Sequence, residues 1–142
     1  MTSNLPAINI EKLYCEQPLI EDAKARINKL KQSYKELFSS TDQVRIFSAP
    51  GRTEIGGNHT DHQQGCVLAA AVSLDALAVA APNGKNVIEV HSEGYSKVVV
   101  TLDSFTPHAE EHGSSAAMVR GVMDYFNKNS WSVGGFNCLL IN

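Results

Sequence analysis

The sequence predicts a single α+β domain in which a mostly antiparallel sheet is flanked by helices. Residues 20–37 repeat apolar side chains every three or four positions, as a helix does. After residue 44 the chain instead alternates short apolar runs with turns rich in glycine, proline and asparagine, which is typical of strands. No repeat, low-complexity tract or linker divides the 142 residues, so residues 1–142 are taken as one domain.

Two helices are predicted before residue 44. A short one lies within residues 1–16 and is opened by Asn9. A longer one begins at Pro18 and ends at the polar segment 39–42. Its apolar face consists of Ile20, Ala23, Ile27, Leu30, Tyr34 and Leu37. Its other face carries Lys24, Arg26, Lys29, Lys31 and Lys35. We interpret this basic face as solvated, because acidic residues elsewhere in the chain more than balance it.

Short strands are predicted at residues 44–47, 67–72, 74–81, 87–91 and 97–102. The first is expected to stop at Pro50-Gly51. Turns at 82–84 and 92–94 connect the later strands, which makes the segment 74–102 an antiparallel meander. A helix from about Ala116 to Asn127, capped by Ser114 or Ser115, and a final apolar strand at 136–141 follow. The inner face of that helix is expected to consist of Val119, Val122, Met123 and Phe126.

The composition argues against several classes of partner. The formal net charge is −3 and the pI is near 5.9, whereas nucleic acid and anionic membranes require a basic surface. The N-terminus lacks the pattern of a signal peptide, and no apolar segment is long enough for a membrane span. The three cysteines are Cys15, Cys66 and Cys138. They form no C-x-x-C pair, so we expect neither a disulfide framework nor a cysteine zinc site, and we predict a cytoplasmic location.

The polar stretch from Phe47 to Gly65 is the candidate functional segment. It is dense in glycine, lies between two apolar runs, and is predicted to be an irregular loop held between strands. Arg52 offers a planar cation suited to phosphate or carboxylate. Asn58, His59 and Asp61 offer mixed hydrogen-bond donors and acceptors, which a polyol requires. Each residue alone is explained by turns and backbone contacts, but the whole set predicts a sugar site.

A metal site is an alternative interpretation of the same segment. His59, Asp61 and His62 are three candidate ligands within four positions. A fourth ligand would come from His91, His108 or His112. This reading predicts a small metal-dependent hydrolase, although the H-E-x-x-H pattern of zinc proteases is missing from the sequence.

The segments Ala49-Pro-Gly-Arg52 and Gly57-Asn-His-Thr-Asp61, followed by Gly65, resemble the sugar-binding signature of galactokinases, which are members of the GHMP small-molecule kinase superfamily. The resemblance is strong over residues 44–84 and topological elsewhere. It implies a fold similar to domain 2 of ribosomal protein S5 and the ATP-dependent phosphorylation of a hexose at its anomeric hydroxyl. It further implies that Arg52 organises the catalytic base and the developing charge, while His59 and Asp61 bind sugar hydroxyls.

This chain departs from the family pattern at four positions. They are Glu54 in place of asparagine, Gly56 in place of a branched apolar residue, Asn58 in place of an acidic residue, and His62 in place of tyrosine. The acidic residue of the family is expected to hold the C6 hydroxyl of the sugar. Asn58 would also tolerate a C6 carboxylate, so we expect galactose, a related hexose or a uronic acid as the ligand.

The resemblance also implies parts that this sequence does not contain. The glycine- and serine-rich phosphate loop is expected soon after the strand at 136–141, followed by a catalytic aspartate and a C-terminal domain. Gly113 to Ala117 is only a faint echo of such a loop, and we interpret it as a helix cap. We therefore expect residues 1–142 to be the N-terminal sugar-binding portion of a longer kinase, inactive alone and able to self-associate. ATP and Mg²⁺ would belong to the full-length enzyme, with none bound here. A sugar-sensing module without catalysis is the alternative.

Overall fold

The structure is a computed structural model that describes residues 9–14, 16–39, 43–57 and 60–141, with the side chain of Asp61 excluded. Its helices are α1 (Ile10–Leu13), α2 (Gln17–Phe38) and α3 (Ser115–Lys128). Its strands are β1 (Arg45–Gly56), β2 (Leu68–Pro82), β3 (Val87–Ser92), β4 (Val98–Thr101) and β5 (Phe136–Ile141). The strands form one sheet in the order β1-β2-β5-β3-β4, in which only the β3–β5 pair is parallel. The predicted α+β class with a mostly antiparallel sheet is confirmed.

The helix ends follow local sequence signals. The side chain of Asn9 accepts a hydrogen bond from the backbone N–H of Glu11 at 3.0 Å, which confirms it as the cap of α1. The hydroxyl of Ser114 accepts from the backbone N–H of Ala117 at 3.3 Å, so the predicted cap of α3 is also confirmed. Among the described residues, no helix is long and apolar enough to span a bilayer.

The core lies between α2 and the centre of the sheet. It consists of the buried side chains of Leu30, Tyr34, Leu77, Val79 and Ala81. Burial of each large apolar side chain contributes about 1.5–3 kcal/mol relative to its exposure to water. The predicted apolar face of α2 is therefore confirmed from Ile20 to Tyr34, but Leu37 near the helix end is 44% exposed.

The predicted inner face of α3 is only half right. Val119 and Met123 are partly buried, whereas Val122 and Phe126 are exposed. The buried side chain of α3 is that of Arg120, which donates two hydrogen bonds of 2.7 Å to the carboxylate of Glu111. This ion pair, rather than an apolar face, fixes the helix beside β4, since Arg120 also donates to the carbonyl of Thr101 at 3.3 Å.

The predicted meander over residues 74–102 is wrong, because β5 separates β2 from β3. Asn83, directly after β2, explains the arrangement. Its backbone N–H donates to the carbonyl of Gly135 at 3.2 Å, and its side-chain amide donates to the carbonyl of Val87 at 3.0 Å and to the side chain of Asn137 at 2.8 Å. These bonds connect the turn after β2 to Gly135 and to Asn137 in β5, the strand that lies between β2 and β3.

The first two strands are longer than predicted. β1 does not stop at Pro50-Gly51 but continues to Gly56, and the two strands predicted at 67–72 and 74–81 are the single strand β2. A β-bulge accommodates the proline, because Pro50 pairs with Asp75 while Arg52 pairs with Ala71. Most of the polar stretch predicted as an irregular loop is therefore strand.

Candidate functional site

The candidate site lies at the end of a two-stranded extension of the sheet. β5 pairs with β2 only between Leu77 and Pro82. Beyond the bulge, residues 51–56 of β1 run beside residues 68–71 of β2, with pairs from Arg52–Ala71 to Gly56–Leu68, and no third strand joins them among the described residues. We call these two segments the signature ribbon. They support the polar loop that connects β1 to β2.

Arg52 lies on the signature ribbon, opposite Ala71. Its side chain is 64% exposed, and its guanidinium is 3.8 Å from a carboxylate oxygen of Glu54, two residues further along the same strand. An exposed pair of this kind contributes little to stability because solvent screens it. The guanidinium is therefore available to an anionic group that approaches the ribbon.

The polar loop is closed by close backbone contacts. Gly57 begins it with φ of 96°, and a Cβ at this position would contact the carbonyl oxygen of Cys66. The carbonyl of Thr60 accepts hydrogen bonds from the backbone N–H groups of Gln63 at 3.0 Å and Gly65 at 2.9 Å. A Cβ on Gly65 would overlap the side chain of Thr60. The loop is thus held by contacts that only glycine permits at its two ends.

The structure describes the predicted site residues unequally. Asn58 and His59 lie outside the described residues. Asp61 begins a single 3-10 turn, Asp61–Gln63, and its side chain is also not described. The contacts of all three side chains with a ligand therefore stay predictions, and the structure adds that Arg52 and the Asp61 backbone belong to one ribbon and its loop.

Two of the three histidines proposed as additional metal ligands, His91 and His108, contact carboxylates. His91 on β3 is 2.7 Å from a carboxylate oxygen of Glu89, and His108 is 3.2 Å from a carboxylate oxygen of Glu110. In the described part of the chain, no three metal-ligating side chains are grouped together. The cluster of His59, Asp61 and His62 is not tested by this result, because the first two side chains lie outside that part.

A partly buried ion pair at the base of the ribbon was missed by the sequence analysis, which placed Arg26 on a solvated face. Its guanidinium donates to a carboxylate oxygen of Asp75 at 2.8 Å. The hydroxyl of Ser48 donates to the other carboxylate oxygen at 2.5 Å. The available signal was Asp75 itself, since an acidic residue inside an apolar strand requires a partner.

The environment of Asp75 favours its charged form. Burial raises the pKa of this carboxyl, but the hydrogen bonds from Ser48 and Arg26, together with the charge of Arg26, outweigh burial and hold the pKa below its ordinary value. The side chain is only 4% exposed. Arg26 and Ser48 thus stabilise the ionised form of the Asp75 carboxyl.

The comparisons with known proteins agree with the position of the ribbon. Residues 32–82 match the family model of the galactokinase galactose-binding signature. The galactokinase of Staphylococcus saprophyticus is 29% identical over 118 residues, which cover 80% of this chain and 30% of that protein. The galactokinase of Lactococcus lactis subsp. cremoris is 30% identical over 74 residues, which cover 52% of this chain and 18% of that protein.

A solved structure supports the fold. The crystal structure of Lactococcus lactis galactokinase complexed with galactose matches with a TM-score of 0.71 and 22% identity, and the match covers 82% of this chain and 30% of that one. At this identity the match establishes the fold. The chain spans less than a third of the length of each of these relatives.

Proposed function

Because this chain is related to galactokinases and contains their galactose-binding signature, we propose that it forms the hexose-binding part of an ATP-dependent sugar 1-kinase. The observation that carries the proposal is the position of the signature. It occupies a ribbon that extends beyond the main sheet and a loop whose two ends are closed by glycine contacts. Contacts that restrict the described ends of a loop reduce the conformations it must lose on binding, which lowers the entropic cost of binding.

Each predicted site residue has a distinct role in this proposal. Asp61 and His59 bind hydroxyl groups of the hexose, and Asn58 binds the group at C6. A hydroxyl both donates and accepts hydrogen bonds, so a carboxylate, an imidazole and an amide together can distinguish sugar epimers. Arg52 would stabilise negative charge that develops as a phosphoryl group is transferred, because a guanidinium binds phosphate oxygens in a bidentate manner.

One segment of this chain has a faint resemblance to an ATP phosphate loop. The closest candidate, the segment from Gly113 to Ala117, leads into α3, and the hydroxyl of Ser114 caps that helix. A phosphate group at this helix end would compete with the cap. We therefore assign ATP and Mg²⁺ to the full-length kinase and propose that this chain alone binds the hexose without transferring phosphate.

Replacing Asp61 by alanine is expected to weaken galactose binding by about 10- to 150-fold, because a hydrogen bond to a charged group contributes ~1.5–3 kcal/mol. Isothermal titration calorimetry of this chain with galactose measures the effect. Asp124→Ala is the matched control, since Asp124 is a carboxylate on α3 whose contact is with Lys128 at 2.6 Å. Equal galactose affinities for the Asp61 and Asp124 variants would show that Asp61 does not bind the sugar.

The same titration with galacturonate tests the role of Asn58. A neutral amide does not repel a C6 carboxylate as an acidic side chain would, so galacturonate is expected to bind. Asn58→Asp should then weaken galacturonate binding and leave galactose binding nearly unchanged. No binding of galacturonate under conditions in which galactose binds would limit the ligand to neutral hexoses.

A further inference from the structure

We infer that Arg26, Asp75 and Ser48, which we call the hinge network, set the direction in which the signature ribbon leaves the sheet. Arg26 and Asp75 are then positioning residues for the hexose site, although neither belongs to the galactose-binding loop. The role in sugar binding rests on the proposed function, whereas the effect on ribbon direction does not.

The ribbon depends on few supports. It consists of two strands in the described part of the chain, because pairing with β5 ends at Leu77. Two-stranded ribbons are marginally stable and twist more strongly than wide sheets. The ribbon joins the sheet at the bulge between Pro50 and Arg52, and a second irregularity between Glu54 and Gly56 lies close to its far end.

The bulge makes this junction a point of bending. Pro50 pairs with Asp75 and Arg52 pairs with Ala71, so three residues of β2, at positions 72–74, face only Gly51 of β1. Bulges bend the strand that carries the additional residues and increase the local twist. A Cβ on Gly51 would lie 3.0 Å from the side chain of Val72, so the two strands are already in close contact here.

The hinge network connects three elements at this point. Arg26 belongs to α2, Ser48 to β1 and Asp75 to β2. In addition to the two contacts with the carboxylate, the guanidinium of Arg26 donates to the backbone carbonyl of Asp75 at 3.3 Å. The network therefore contacts both the side chain and the backbone of Asp75, the residue of β2 that pairs with Pro50 beside the bulge.

Space for movement is present beside the network. A cavity of about 600 Å³ lies between α2 and the bulge, and its lining includes Asp22, Arg26, Pro50, Leu74 and Asp75. Because this space is not filled by side chains, the contacts of Arg26 are the polar contacts that connect α2 to the strand beside the bulge. Arg26 and Asp75 of the network thus line this groove, which is open to solvent.

The length of the ribbon amplifies any change at the hinge. From Gly51 to Gly57 the chain advances six residues, which corresponds to about 20 Å at ~3.3 Å per residue. A change of roughly 10° in direction would therefore move the loop by roughly 3 Å. Displacements of about 1 Å already impair a binding or catalytic arrangement.

The test compares Asp75→Asn and Arg26→Gln with the wild-type chain. Residual dipolar couplings of backbone amides report how the ribbon, residues 51–56 and 68–71, is oriented relative to the sheet. In both variants we expect the couplings measured for the ribbon amides to differ from those calculated with the alignment tensor that fits the amides of the sheet. Galactose affinity, measured by calorimetry, is expected to fall at least about tenfold in both. If Asp75→Asn and Arg26→Gln fold poorly, Arg26→Lys is the alternative variant. It keeps the charge and should retain most of the wild-type ribbon direction and galactose affinity.

Arg120→Gln is the matched control, because it removes another arginine–carboxylate pair, which lies beside β4, far along the sheet from the ribbon. It is expected to lower stability and to leave both ribbon direction and galactose affinity unchanged. Ribbon couplings that still fit the frame of the sheet in Asp75→Asn and Arg26→Gln would overturn the inference. A changed direction with unchanged galactose affinity would overturn the positioning role. If the wild-type chain binds no galactose, the proposed function fails, and the couplings still decide whether the network sets the direction of the ribbon.

Discussion

Replacing Gly57 by alanine is expected to lower galactose affinity by at least about tenfold, the equivalent of ~1.4 kcal/mol. Gly57 has φ of 96°, which side chains other than hydrogen rarely permit. An added Cβ would contact the carbonyl oxygen of Cys66 and lie 2.7 Å from the Cα of Val67. Both are backbone atoms, so relief requires the two ends of the loop to separate. The loop that carries Asp61 would then lose its fixed geometry, and calorimetry with galactose measures the loss.

Gly56→Ala is the control for this prediction, because it adds the same methyl group one residue earlier. No heavy atom lies within 4 Å of a Cβ at Gly56, and its φ is not positive. Galactose affinity should stay within about twofold of the wild type, since surface substitutions away from contacts have small effects. A Gly57→Ala variant that binds galactose as well as the Gly56→Ala variant would contradict the assignment of the loop as the binding element.

Replacing Gly135 by alanine is expected to lower the free energy of unfolding by about 3 kcal/mol, near the upper end for overpacking. Gly135 directly precedes β5, where that strand enters between β2 and β3. A Cβ there would contact the carbonyl oxygen of Lys85, lie 2.5 Å from that of Val87 and lie 2.7 Å from the side chain of Asn83. Two of these atoms are backbone, so the start of β5 must move and lose pairing with its neighbours.

The neighbouring glycine provides the control for stability. A Cβ at Gly134 meets no heavy atom within 4 Å, and the substitution reduces the freedom of the unfolded chain. Gly134→Ala is therefore expected to leave stability unchanged or to raise it by up to about 1 kcal/mol. Urea unfolding followed by circular dichroism compares the two variants. Equal midpoints would show that β5 does not enter the sheet at Gly135 as described.

The features predicted correctly from the sequence depend on residues close together in the chain. The caps Asn9 and Ser114 and the apolar face of α2 are examples, because a helix is determined by neighbours within a few positions. The strand order was not predicted, since β5 pairs with strands more than forty residues earlier and nothing local in the sequence encodes that choice. The bulge beside Pro50 was also missed, because it depends on the pairing of Pro50 with Asp75 on another strand.

The candidate site was predicted in part. The sequence located the segment that carries Arg52 and the loop, because glycine density and the family signature are properties of the chain itself. It did not reveal that the segment is mostly a strand, nor that Arg26 reaches the base of that strand from α2. Both depend on contacts across the fold. The roles of Asn58, His59 and Asp61 remain predictions that the binding experiments test.

A titration of the ¹⁵N-labelled chain with galactose, followed by amide chemical shifts, tests most directly whether the ribbon and its loop form the sugar site. Saturable changes in chemical shift are predicted for the amides of the ribbon and loop between residues 52 and 68. The chemical shifts of the amides of β3, β4 and α3 are expected not to change. Shifts that do not saturate, or saturable shifts that are confined to β3, β4 and α3, would contradict the account.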